Sequence, residues 1–223
     1  VRNYNSSFIF GDGIANSIAL TATLSRNSVD APLFQYPRRG SQLSFSLEAT
    51  PPFSAFAPAN KNYTDLPPNE KYKWIEYHKW KFSASVFTKL TGNLVANFRA
   101  NFGFLGYYNK QIGAAPFERF YLGGDGLSNF SLDGREIIAL RGYENESLTP
   151  VEYIPGQGWS RVGGTTFDKY TLELRYPVSL NPQAMIYVFS SLEAANTTIG
   201  MGWPSAVSGV PNRAAKAADM PHI

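Results

Sequence analysis

Along residues 94–104, Leu94, Ala96, Phe98, Ala100, Phe102 and Phe104 occupy every second position, and Asn97, Arg99, Asn101 and Gly103 stand between them. A repeat of two is the side-chain period of a β-strand, whose successive residues point to opposite faces. The pattern returns in residues 18–24, 43–49, 80–86 and 170–176. A sixth run, residues 184–194, alternates less strictly, and Phe8 to Phe10 suggest the end of a further strand. Helical periodicity is almost absent. The runs approach the roughly 9–11 residues with which a tilted strand crosses a bilayer, whereas soluble strands average about 5–6.

The connections sort by length. Residues 88–93, with Thr91-Gly92-Asn93, and residues 176–183, with two prolines, make short turns. Residues 50–77 and 108–167 make long loops, and residues 29–40 are intermediate. In an antiparallel order both long loops fall on one side, and the short turns fall on the other with 29–40. Outer-membrane barrels have this asymmetry, with short periplasmic turns and long outer loops. Trp74, Tyr77, Trp80, Tyr107, Tyr108 and Tyr176 lie near strand ends, as interfacial aromatic girdles do. The expected fold is all-β: part of an antiparallel transmembrane β-barrel with long extracellular loops. A soluble β domain with one buried face is the alternative.

Composition narrows this further. The 223-residue chain is 15% aromatic, which suits a pleated surface, and its net charge of +3 comes with mixed signs and no long basic cluster. Nucleic acid is not expected as a partner. There is no cysteine, hence no disulfide and no thiolate metal site. Of the two histidines, His78 reads as an interfacial side chain and His222 is far from it. No nucleophile elbow or phosphate loop is present, and Gly123-Gly124-Asp125-Gly126 reads as a tight turn. No enzymatic activity and no cofactor are expected.

The second long loop contains "FERFYLGGDGLSNFSLDGREIIALRGYENESLTP", residues 117–150. Phe117, Phe120, Tyr121, Gly123 and Gly124 give an aromatic-x-x-Phe-Tyr-x-Gly-Gly signature. Leu140-Arg141-Gly142-Tyr143 gives an apolar residue, Arg-Gly and an aromatic. In this loop, over a reach of about residues 15–195, the chain resembles the BamA-like outer-membrane protein assembly factor family. An insertion around residues 125–138 separates two parts that lie closer together in the family.

The resemblance implies that the loop folds back into the barrel lumen. It also implies that Arg141 pairs with carboxylates of the strands that follow, for which Glu173 and Glu193 are the candidates. Parity places Glu173 on the polar face of its strand and Glu193 on the face of Ser191. The implied role is folding and insertion of β-barrel proteins in the bacterial outer membrane. The implied partners are unfolded outer-membrane proteins, periplasmic lipoproteins of the assembly complex and the lipid bilayer. A translocation pore of the same superfamily and a diffusion porin stand as alternatives. The family barrel has sixteen strands behind periplasmic POTRA domains, so residues 1–195 read as a partial barrel including the lumen loop 109–166. Residues 196–223 read as a tail without sustained alternation.

Overall fold

A computed structural model of the chain describes residues 2–4, 13–30, 36–58, 61–124, 135–154, 158–181 and 183–200. The expected strand end at Phe8 to Phe10 and residues 201–223 of the tail lie outside the described residues. A small hairpin, β1 (Arg2–Tyr4) and β2 (Gly13–Ala15), comes first. Four long strands follow: β3 (Leu20–Asn27), β4 (Gly40–Ala49), β5 (His78–Lys89) and β6 (Val95–Gly106). The one-turn helix α1 (Pro68–Lys71) lies in the loop before β5. After β6 come four short strands, β7 (Phe120–Leu122), β8 (Glu136–Ile138), β9 (Val151–Ile154) and β10 (Gly158–Arg161). The chain then makes its two longest strands, β11 (Thr166–Asn181) and β12 (Ala184–Thr198). β12 thus runs three residues past the expected boundary at 195.

The long strands form one six-stranded sheet in the order β3-β4-β5-β6-β11-β12, antiparallel throughout. It is a meander interrupted once, by the excursion between β6 and β11. The sheet is open, with β3 and β12 as its edges among the described residues. Twelve residues in β5 and in β6 extend about 40 Å, enough to cross roughly 30 Å of hydrocarbon at a tilt.

The register sorts the side chains. Leu172 pairs with Phe98, Phe98 with Val86, and Phe82 with both Phe45 and Phe102, so these residues share one face. Glu173 pairs with Asn97 and Thr171 with Arg99 on the other. The apolar face is the exposed one: Phe98 is 45% accessible and its neighbour Asn97 1%. That inversion fits a wall with lipid outside and polar groups inside.

Leu94 lies just before β6, where its carbonyl accepts from Leu90 N–H at 2.9 Å and closes the β5–β6 turn. One detail differs from the sequence reading. Tyr77, expected in an aromatic girdle, is buried at 1% exposure on the inner side, where its hydroxyl donates to Glu48. It sits one residue before β5, at the parity of inward-facing Lys79.

The two packed core clusters lie on the inner face. At the long-loop end, Ile75, Tyr77, Leu105, Phe117, Phe120 and Phe167 pack together. At the short-turn end, Tyr36, Phe87 and Val95 pack with Leu180, Met185 and Tyr187. The Tyr36 hydroxyl donates to the carbonyls of Asn93 and Arg175, so the intermediate-length β3–β4 connection is tied across the sheet to β11.

Candidate lumen loop and its anchors

The loop returns across the inner face because its apolar side chains have nowhere else to go. Phe120 and Leu122 are fully buried, and Phe120 meets Phe167 of β11 edge to face at 4.7 Å. Burying one such ring is worth about 1.5–3 kcal/mol. The backbone seals the contact through Phe120 N–H to Gly164 O at 2.9 Å and Gly164 N–H to Phe120 O at 2.7 Å.

β7 then pairs in parallel with β8, which draws the two halves of the sequence signature together despite the residues between them. Gly123 N–H donates to Ile138 O at 3.0 Å, and Leu140 N–H donates to Gly124 O at 2.9 Å. Gly123 and Gly124 have φ of +123° and +107°, a region L side chains avoid. A Cβ on Gly123 would also meet Glu144 O at 2.5 Å. Gly142 is different. Its φ is +85°, but a Cβ there would meet nothing within 4 Å, so glycine serves the backbone turn and not clearance.

Of the signature residues, Phe117, Phe120, Tyr121, Gly123, Gly124 and Leu140 are buried, while Arg141, Gly142 and Tyr143 are exposed. Leu140 thus fixes the segment and Arg141 faces outward from it. The Arg141 backbone N–H donates to Glu193 Oε2 at 3.3 Å. Its Nη1 donates to Ser191 Oγ at 3.5 Å, and its Nε lies 3.9 Å from Glu193 Oε1. Lys169 Nζ shares Glu193 at 3.4 Å and donates to Ala139 O at 2.6 Å.

Glu173, the other expected partner, is not brought to Arg141. It accepts from Arg99 at 3.0 Å and from Arg175. The reason is local: Arg175 is its same-face neighbour two residues on, and Arg99 lies diagonally across the β6–β11 register. Because the Arg141 side chain is 56% exposed, its pair with Glu193 falls in the range of surface ion pairs, about 0–1 kcal/mol. Arg141→Ala is therefore expected to lower stability by no more than about 1 kcal/mol in a urea titration.

Sequence reasoning missed a second contact, on β5. Lys79, 4% exposed, lies 2.7 Å from Glu136 and 3.4 Å from Glu118. Its ammonium also stands 4.8 Å from the centre of the Phe120 ring. Lys81 reaches Glu136 at 2.8 Å. A signal was present: two lysines at inward parity on a membrane-length strand require counter-charges, and the loop supplies them.

Burial opposes ionisation of Glu136, but Lys79 and Lys81 outweigh it and hold the carboxyl below the usual glutamate range. A depressed folded-state pKa stabilises docking above the ordinary value, near 4.5, and that stability is lost as pH falls through the lower folded value. Loop docking, read by hydrogen exchange of the β7–β8 amides, is expected to be constant from pH 7 to 4.5 and to loosen only on further acidification. Glu136→Gln should weaken docking at pH 7 and reduce the change on acidification.

No curated protein matches the chain. Residues 4–196 match the model of the Omp85 superfamily domain. The match spans the whole described sheet from β3 and nearly all of β12, together with the inward-folded loop and its Arg-Gly segment. With the polar inner face and the apolar outer one, these features have one common source: the chain belongs to the Omp85 superfamily.

Proposed function

We propose that the chain is barrel wall and lumen loop of a BamA-like insertase, which folds β-barrel proteins into the bacterial outer membrane. Superfamily membership points to membrane-protein insertion or translocation as the general activity. The observation that carries the finer reading is the loop, docked on the polar face and tied to β5 and β12, opposite a face of exposed Phe98, Phe102, Leu172 and Leu174. A diffusion channel does not need that much wall-to-loop bonding at its centre. Unfolded outer-membrane proteins are the clients, and exposed strand edges template them by β-augmentation. Periplasmic lipoproteins of the assembly complex and the bilayer are the other partners. No bond is made or broken, and no cofactor takes part.

The test is reconstitution of the protein into phospholipid vesicles with a urea-unfolded outer-membrane β-barrel as client. Client folding, followed by its gel shift, should accelerate at least about tenfold over protein-free vesicles, which is about 1.4 kcal/mol of barrier. Absence of acceleration by correctly folded protein would overturn the insertase reading. Passage of an unfolded soluble polypeptide into the vesicles would then identify a translocation pore. Passage of small solutes alone would identify a porin.

A further inference from the structure

We propose that Lys79 is a positioning residue: with Glu136 and Glu118 it forms a second anchor, on β5, that sets where Arg141 lies against β12. The inference rests on the reading of the loop as a lumen element and adds to it a mechanical coupling between two walls.

Three observations carry it. The first is cost. An ammonium 4% exposed and the Glu118 carboxylate, 9% exposed, are held out of water beside a partly exposed Glu136, where a leucine packed on Phe120 would avoid the desolvation penalty. Buried ion networks are weak sources of stability, and their best-attested use is to fix register. Here the register in question is that of the loop on the wall.

The second is placement. Lys79 is level with Leu105 on β6. Glu193 is level with Thr171, and Thr171 with Arg99. The two anchors therefore stand three strand spacings apart, about 14 Å, and six residues apart along the strands, about 20 Å.

The third is length. The chain from Glu136 to Arg141 covers five residues, about 17 Å at full extension, and its first three are already extended as β8. Little slack remains. Ala139, midway, is itself held by Lys169. Lys81 also reaches Glu136 at 2.8 Å but from a side chain 41% exposed, so releasing Glu136 from buried Lys79 loosens the upstream end of the span that sets the depth of Arg141 beside Glu193.

The chain has no cysteine, so two introduced cysteines are the only labelling sites. Tyr143→Cys reports the Arg-Gly segment, and Thr88→Cys reports the far end of β5. Their spin-label distance is read by pulsed electron resonance in vesicles without any client, so the result is independent of the insertion assay. Lys79→Met is expected to shift or broaden that distance by at least about 3 Å, one residue's reach. Lys79→Arg, which keeps the charge facing Glu136 and Glu118, should hold it near the parent value. Glu136→Gln, which leaves the sheet untouched, should act like Lys79→Met and serves if that variant does not fold.

An unchanged distance in Glu136→Gln would overturn the proposal. So would a shift in Lys79→Met that Lys79→Arg does not correct, since the effect would then be packing on Phe120 alone.

Discussion

Phe98→Arg is expected to destabilise the membrane-inserted protein by about 2–4 kcal/mol, the range for a cationic side chain facing lipid near mid-membrane. Phe98 lies in the central part of β6, pairs with Val86 and Leu172, and stacks on Tyr170 at 6.4 Å. All of these point outward from the loop-bearing face. The paired control is Ser83→Arg, at inward parity on β5, exposed and opposite Ser44 and Asn101. There an arginine enters a polar, wet space and should change stability within about 0.5 kcal/mol, as ordinary surface substitutions do. Asn97 would be a poor control, because it is buried and its amide oxygen accepts from Ser85 at 2.9 Å. Urea titrations in vesicles compare the two variants. Labels at positions 98 and 83, read with oxygen and with a polar quencher, test the same assignment without a charge. Equal penalties and equal accessibilities at the two positions would remove the lipid-and-lumen assignment of the faces.

The strands were legible because a wall between lipid and water imposes period two on every crossing, and nothing local competes with it. The alternation marks β6 at 94–104, and the strand runs Val95–Gly106. For β11 the alternation reaches only residue 176, because Pro177 breaks it. The strand continues to Asn181 through a register shift between Pro177 and Ser179, which absorbs the proline. The loop signature was legible in composition, but its assembly was not. Gly123 and Gly124 read as a turn, yet they also offer the backbone to the segment that precedes Arg141. That pairing in parallel leaves no periodic trace in the sequence. The choice between Glu173 and Glu193 needed the strand register. Both have inward parity, but only register shows that Glu173 stands between two arginines while Glu193 faces Thr171, with Lys169 diagonal to it. Lys79 and Glu136 are far apart in sequence, so their contact exists only in the fold.

Glu173→Ala is expected to destabilise the protein by about 3 kcal/mol, well beyond the effect of Arg141→Ala. Removing one member of a buried ion pair costs about 3–5 kcal/mol, because the charge left behind is uncompensated. Two guanidiniums would be left here. Arg175 is mostly buried and lies 5.7 Å from the ring centres of both Phe87 and Tyr187, so it cannot swing to solvent without vacating that aromatic site. Arg99 is 36% exposed along its side chain and will be partly rescued by water, which holds the expectation at the low end of the range. Glu173→Gln keeps the volume and one acceptor, so it separates charge from packing and should recover part of the loss. Arg175→Met combined with Glu173→Ala should cost less than the sum of the single changes, since the stranded charge is removed with its partner. Urea titrations of the parent, Glu173→Ala, Arg175→Met and the double variant give the coupling directly. If Arg141→Ala proves more destabilising than Glu173→Ala, the wall's main ionic contact is the loop pair and the assignment of Glu173 to Arg99 and Arg175 fails.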